Sequence, residues 1–283
     1  MTTWVWIDGA ATPAADARVA ALDHGVTVGD GIFETAKVID RTPFAMRRHL
    51  ERLRRSAAVM GLRLPWTDEH LRSACAATIA AAAADPANAA HGVGRLRLTV
   101  TGGPGPLGSD RSDVPPTLIV AAGPATPWAP TTSVATVTWT RNERSAVAGA
   151  KTTSYAENVV ALGEAHRRGA TEAILANTVG ALCEGTGSNI FLEVDGVLCT
   201  PSLSTGCLAG ITRALVCEQV PVLERDDLTF DHLRSTSEAF LTSSTRDLQP
   251  IHAVDDVSLQ APGPLTTAAM AAFAALEGAG LDP

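Results

Sequence analysis

The chain carries 22 basic side chains, yet only Lys37 and Lys151 are lysines; the other 20 are arginines. An ammonium can give up its proton and act as a nucleophile or base, whereas a guanidinium keeps its proton in proteins. Amine chemistry is therefore sought first at these two positions, although a composition rich in alanine, arginine and proline also leaves stray lysines with no role. Lys151 lies in Gly149-Ala-Lys-Thr-Thr-Ser-Tyr-Ala-Glu-Asn158, and the single tyrosine, Tyr155, follows four residues later. An amine in an apolar setting, or beside another cation, has a lowered pKa and can form a Schiff base with an aldehyde. A helix is predicted over Tyr155 to Arg168, closed by Gly169. If it starts as early as Lys151, Tyr155 stands one turn along on the same face. The other reading is a surface lysine ahead of a helix, with Tyr155 as ordinary packing.

Glu184, in Leu182-Cys-Glu-Gly-Thr-Gly-Ser-Asn-Ile-Phe191, is a carboxylate ahead of a small-residue turn and a strand. A heterocyclic nitrogen facing such a carboxylate stays protonated, and a protonated pyridine is what makes pyridoxal an electron sink. The plainer reading is a turn glutamate. Leu208-Ala-Gly-Ile-Thr-Arg213 enters a predicted helix through Gly210, so the N–H groups of Ile211 and Thr212 can point at a phosphate. Thr242-Ser-Ser-Thr245 ends a strand on four hydroxyls, with Ser243 and Ser244 as a second phosphate cup. Ordinary helix capping and a polar strand end are the alternatives. Arg52, in His49-Leu-Glu-Arg-Leu53, can grip a phosphate through two N–H groups or simply be solvated. No Gly-x-Ser-x-Gly elbow, HExxH or P-loop is present, so hydrolase, zinc protease and NTPase readings have no motif behind them.

These residues need elements to hold them. Strands are predicted at Trp4 to Asp8, Ile32 to Ile39, Arg95 to Val100, Thr117 to Ala122, Val134 to Trp139, Glu172 to Ala176, Asn189 to Glu193 and Ala239 to Thr242. Helices are predicted at Arg47 to Leu62, stopped by Gly61, and at Asp68 to Ala84, capped by Thr67. Two more run over Gly210 to Val220 and Pro264 to Glu277. Helices and strands mix without strict βαβ alternation, which favours an α+β fold. The 283 residues, 46% of them hydrophobic, suffice for one large domain or two average ones. Gly123 to Pro130 holds three prolines and a glycine, which makes 123–130 the expected linker between domains 1–122 and 131–283.

The formal net charge is -8, without a basic stripe, so nucleic acid is not an expected partner. The longest apolar run, Ile79 to Ala84, is far short of a membrane span, and Met1 to Asp8 does not read as a secretory signal. The five cysteines have no CxxC spacing and suggest neither a disulfide framework nor a metal site. A cytoplasmic protein with reduced thiols is expected.

Taken in order, the motifs resemble the class IV aminotransferases, the fold-type IV pyridoxal 5'-phosphate (PLP) enzymes. The likeness runs from about Trp4 to beyond Thr245. It is carried by Asp23-His-Gly-Val-Thr-Val-Gly-Asp-Gly-Ile-Phe-Glu34, His49-x-x-Arg-Leu53, Lys151 with Asn158, Glu184 to Phe191, and Gly210-Ile-Thr-Arg213. The resemblance implies a two-domain α+β fold of the D-amino acid aminotransferase-like type. In it a smaller N-terminal domain is followed by a larger PLP-binding domain, with the cofactor between them. It also implies a homodimer whose site borrows a partner loop. By position it makes Lys151 the Schiff-base and proton-transfer lysine, Glu184 the partner of the pyridine nitrogen, and Arg52 a phosphate ligand. Gly210, Ile211, Thr212, Ser243 and Ser244 complete the phosphate site. Leu208 packs on the cofactor ring, and Tyr155 neighbours the phenolic oxygen.

Within the family, D-amino acid transaminases hold the substrate carboxylate with a tyrosine in the Gly-Asp-Gly strand and an Arg-x-His in a later loop. Here the strand has Phe33, and the loop Gly102 to Arg111 has no Arg-x-His. Branched-chain enzymes continue as Phe-Glu-Gly, where this chain has Phe33-Glu-Thr35. The stretch Thr35 to Asp40 is closer to the aminodeoxychorismate lyases. In a strand Phe33, Thr35 and Lys37 share one face, so Lys37 either projects toward substrate or ends the strand in water. Arg95, Arg97 and Arg111 are further candidates to meet a carboxylate. The expected activity is transamination between D-amino acids, with R-amines as a further class, and 2-oxo acids. The alternative is 4-amino-4-deoxychorismate lyase, releasing p-aminobenzoate and pyruvate; a non-catalytic PLP-binding protein comes third.

Overall fold

Along Gly31–Ile39 the residues Ile32, Glu34, Ala36 and Val38 are buried, while Thr35, Lys37 and Ile39 are half-buried. This is the alternation of a strand with one covered face. The computed structural model describes residues 1–7 and 9–283, and within them the chain forms two units. The first comprises Met1–Pro127, Ala150–Tyr155 and Leu281–Pro283; the second comprises Trp128–Gly149 and Ala156–Gly280.

The first unit holds β1 (Trp4–Ile7), β2 (Ala10–Pro13), α1 (His24–Thr27), β3 (Gly31–Ile39), β4 (Thr42–Pro43), α2 (Met46–Met60), α3 (Asp68–Ala84), β5 (Arg95–Thr101) and β6 (Thr117–Gly123). The strand expected at Trp4 to Asp8 is seen at Trp4–Ile7, and Asp8 lies outside the described residues. The strands form one antiparallel sheet in the order β2-β1-β6-β5-β3-β4. Its core face carries Ile32, Val38, Leu96, Leu98, Val100, Leu118 and Val120, packed against Leu50, Leu53 and Ala57 of α2 and Leu71, Cys75 and Ile79 of α3. Gly61 closes α2 in the left-handed conformation, and the Thr67 hydroxyl caps α3 by accepting from the His70 N–H at 3.2 Å.

The second unit holds β7 (Thr132–Arg141), α4 (Ala156–Arg167), β8 (Glu172–Asn177), β9 (Leu182–Gly185), β10 (Asn189–Val194), β11 (Val197–Pro201), α5 (Ile211–Gln219), β12 (Leu223–Arg225), α6 (Phe230–Ser235), β13 (Ala239–Ser243), β14 (Asp247–Val254), β15 (Val257–Ser258) and α7 (Pro264–Ala279). The nine strands make a mixed sheet in the order β12-β11-β10-β13-β14-β7-β8-β9, with β15 on β14. The pairs β11–β12, β14–β7 and β7–β8 are parallel. One core gathers Ile174, Leu182, Ile190, Leu192, Leu233, Leu241 and Ile251; another packs Ala161 and Ala165 of α4 on Ala135, Ala173 and Leu175. No helix among the described residues is long and apolar enough to cross a membrane.

The two units divide between Pro127 and Trp128, inside 123–130. Residues 150–155 and 281–283 return to the first unit. Lys151, assigned from sequence to the C-terminal domain, therefore belongs to the first. The helix after it begins at Ala156, so Lys151 to Tyr155 is not a helical turn.

Candidate active site

In the first unit, Lys151 is fixed through its backbone. The segment runs along the free edge of β3, where Thr152 forms a bridge with Ile32. The Phe33 N–H donates to the Lys151 carbonyl at 3.0 Å, and the Thr153 N–H donates to the Gly31 carbonyl at 2.8 Å. From α2 the buried Ser56 Oγ accepts the Lys151 N–H at 3.0 Å. Gly31 is required for this approach: a Cβ there would stand 2.8 Å from Thr153 Oγ1 and 2.9 Å from the Val100 carbonyl oxygen. With its main chain pinned, the lysine projects its amine at 3.4 Å from the Tyr155 hydroxyl and 4.3 Å from the centre of the Phe33 ring. Phe33 and Tyr155 meet edge to face, centroids 5.2 Å apart. Arg97 lays its guanidinium carbon 3.6 Å from the same Phe33 centroid, and its Nε donates to Thr99 Oγ1 at 3.2 Å.

The other face of β3 presents Glu34 to α2. Arg52 donates to it through Nε at 2.8 Å and Nη2 at 2.6 Å, and His49 donates through Nδ1 at 2.7 Å. Burial alone would raise the Glu34 pKa, but the charge and hydrogen bonds of Arg52, with those of His49, outweigh it and hold the carboxyl at about 2. Burial lowers the pKa of His49, more than Glu34 raises it, so the imidazole is neutral near pH 7. Glu34 thus takes the Nε–Nη2 edge of the Arg52 guanidinium.

Two other candidates lie in the same unit. Lys37 shares the Phe33 face but lies four residues on, roughly 13 Å along the strand. It stands cross-strand from Arg95, with its amine 5.5 Å from the centre of the Phe44 ring. Arg111 donates to both oxygens of Asp30 at 2.7 and 2.6 Å and to the carbonyls of Met60 and Gly61. It staples the end of α2 to Asp30.

In the second unit, Glu184 sits on β9 beside Leu175 of β8. Its Oε1 is 3.0 Å from Arg141 Nε, and its Oε2 accepts the Leu208 N–H at 2.9 Å. The Leu208 carbonyl in turn accepts from Asn189 Nδ2 at 2.9 Å. Arg141 Nη2 donates to Asn158 Oδ1 at 3.1 Å, and Asn158 Nδ2 donates to the Thr186 carbonyl. Gly210 caps α5 without a side-chain hydrogen bond, and the first helical bond to its carbonyl comes from Ala214. The N–H groups of Ile211 and Thr212 therefore have no partner within the helix. α5 packs on β13, which ends in the half-buried Ser243 and Ser244. Thr242 Oγ1, just before them, is buried with no hydrogen-bond partner among the described residues.

Arg141, Ser56 and Asn158 as an Arg141 ligand were not singled out from sequence. Arg141 lies two residues past the strand end expected at Trp139 and carries no local signal. Ser56 follows Arg52 by one helical turn, which could have marked it.

The amino-transferase class IV family model matches residues 31–254, most of the chain, so this protein belongs to the class IV aminotransferases, which use PLP. The branched-chain-amino-acid aminotransferase of Pseudomonas aeruginosa is 30% identical over 286 residues, covering 93% of this chain and 89% of that protein. The D-alanine aminotransferase of Listeria monocytogenes is 29% identical over 273 residues, covering 89% and 88%. The crystal structure of the branched-chain aminotransferase of Thermoproteus uzoniensis superposes with a TM-score of 0.86 at 30% identity, covering 98% of this chain and 96% of that one.

The residues present fit PLP. A primary amine is available at Lys151. An acid set against Arg141 suits a pyridinium N–H. Unpaired helix N–H groups, with the hydroxyls of Thr212, Ser243, Ser244 and the orphaned Thr242, form the donor set a phosphate requires.

Proposed function

We propose that this protein exchanges amino groups between D-amino acids and 2-oxo acids, with Lys151 as the catalytic residue. The observation that carries the reading is the pair of cationic groups resting on one ring, the Arg97 guanidinium at 3.6 Å and the Lys151 amine at 4.3 Å from the Phe33 centroid. An α-amino acid has a carboxylate one carbon from its reacting centre. A guanidinium on the same ring as the lysine amine is the natural partner for that carboxylate, and it replaces the tyrosine and Arg-x-His that this chain lacks. PLP supplies the electron sink. The Lys151 amine takes the Cα proton and returns it, and the Tyr155 hydroxyl orients that amine. Glu184, held by Arg141 and the Leu208 N–H, would keep the ring nitrogen protonated. Ile211, Thr212, Ser243 and Ser244, with Arg52, would hold the phosphate, and Leu208 would lie on the ring.

The D configuration accords with the relation to D-alanine aminotransferase, and Thr35 supports it over L-branched-chain substrates. Thr35 puts a β-branched side chain directly cross-strand from Arg97, where the branched-chain pattern has glycine. Purified protein is offered D-alanine or L-leucine, each with 2-oxoglutarate, and separately aminodeoxychorismate. Faster exchange with D-alanine is expected. Exchange confined to L-leucine, or p-aminobenzoate release without exchange, overturns the reading. A cytoplasmic homodimer belongs to the same proposal: Val159 and Val160 on α4 and Val179 after β8 are exposed apolar groups that a second copy would cover. A monomer in sedimentation would refute the dimer.

A further inference from the structure

We propose that Glu172 is a positioning residue that sets both ends of the cofactor framework of the second unit through one buried node. The proposal rests on the PLP reading of Glu184 and of the α5–β13 region, and concerns a carboxylate that this reading does not use.

Glu172 opens β8, and its side chain is only 2% exposed. Its carboxylate takes four donors. Oε1 accepts from the Thr186 N–H at 3.1 Å and from the Thr186 hydroxyl; Oε2 accepts from Ser188 Oγ at 3.2 Å and Arg246 Nη2 at 2.8 Å. Two arms leave this node. The first passes through the 185–188 loop: the Thr186 carbonyl receives Asn158 Nδ2, Asn158 Oδ1 receives Arg141 Nη2, and Arg141 Nε faces Glu184. The second passes through Arg246, whose own N–H donates to Ser243 Oγ at 3.3 Å and closes the turn after β13. The Arg246 guanidinium is held on its other sides by Gln249 Oε1 at 2.9 Å and by the Trp128 ring at 3.9 Å.

The loop is built around this carboxylate. A Cβ at Gly185 would meet Ser188 Oγ and stand 3.2 Å from Glu172 Cγ, so only glycine lets the loop close this tightly. The first arm ends on the group assigned to the ring nitrogen, and the second on hydroxyls assigned to the phosphate. A single buried charge thus fixes how far apart and at what angle the two ends of one ligand are met. This is the supporting role that outer hydrogen-bond partners play for ligating groups.

The test uses full-length protein stripped of cofactor and titrated, by visible absorbance, with PLP and with pyridoxal, which has the ring but no phosphate. Wild type that fails to bind PLP overturns the cofactor reading itself, whatever the variants do. Given wild-type binding, E172Q is expected to weaken pyridoxal at least tenfold and to weaken PLP by a larger factor still, because both arms are loosened. The pH dependence of the bound-cofactor spectrum should also shift, since Glu184 is no longer held in place. A residue that served only stability would lower the melting temperature but leave both affinities and the pH profile of the folded fraction unchanged; that result overturns the proposal. Equal losses for PLP and pyridoxal, meaning that only the ring end is affected, overturn it as well. If E172Q does not fold, T186V combined with S188A, which keeps the Glu172–Arg246 ion pair, is measured in the same way. With the Arg246 arm intact, this variant should weaken both ligands by the same factor, whereas unchanged binding refutes the node.

Discussion

A glutamate–arginine pair with both side chains buried lies in each unit, Glu34–Arg52 and Glu172–Arg246, and the two are built differently. Glu34 receives Arg52 through two parallel bonds and His49 through a third, all from one face of α2. Glu172 receives a single bond from Arg246 and three from residues of the 185–188 loop. The first is a local clamp that ties one helix to one strand. The second gathers elements distant in sequence. Breaking a clamp should be read in stability, and breaking a node should be read in ligand geometry, which makes the contrast testable.

The largest effect lies outside both pairs. Lys151→Ala is expected to abolish transamination and the visible absorbance of the bound cofactor. Its main chain is fixed by Phe33, Thr152 and Ser56 rather than by its side chain, so stability should change by no more than about 0.5 kcal/mol. Retained turnover would refute the lysine assignment. Next, Glu34→Gln removes the buried negative charge that faces Arg52 and should cost about 3–5 kcal/mol, read from the urea midpoint. An unchanged midpoint would mean that the clamp does not hold α2 on β3.

Acid separates the pairs further. The folded Glu34 carboxyl is depressed to about 2 from an ordinary 4.5, so its contribution is complete above 4.5 and is lost as pH falls toward 2. The size of that contribution is about 3 kcal/mol. His49 is buried neutral, with its pKa below the ordinary 6.5, so unfolding takes up a proton and stability already declines as pH drops below 6.5. Stability measured against pH should therefore fall in two stages, and Glu34→Gln should flatten the more acidic one. A single stage that survives in this variant would contradict the assignment. On the opposite face of the same sheet, Arg97→Met should raise KM for amino acids tenfold or more, about 1.5–3 kcal/mol, with kcat less affected. Unchanged KM would exclude Arg97 from carboxylate binding. The smallest effect is expected at Tyr155→Phe, about 1 kcal/mol in kcat/KM, from a hydroxyl that orients the lysine without carrying its chemistry.

Local signals located what is local. The period of α2 and α3, with Gly61 and the Thr67 cap, was legible, as was the alternation of β3 and β5. β14 was missed because Pro250 stands inside it, opposite Phe240, where a missing N–H argues against a central strand. The strand tolerates it beside a register shift toward β7 between Ile251 and Ala253. Of the site, the reactive types and their order could be read, but not their partners. Nothing near Arg52 in sequence announces Glu34, and nothing near Arg111 announces Asp30, because the fold alone brings these acids and bases together. The return of 150–155 to the edge of β3 was hidden for the same reason.

That return has a consequence for synthesis on the ribosome. Residues 1–127 can form their sheet early, but they do so with the Gly31–Phe33 edge of β3 unpaired, an open edge of the kind that invites wrong pairing. It is closed only after Lys151 and Thr153 have emerged, and Ala45, at the start of α2, waits longer still for the carbonyl of Leu281. The nascent chain thus acquires its reactive amine and the protection of this edge in one event, after the whole of the first sheet has been made.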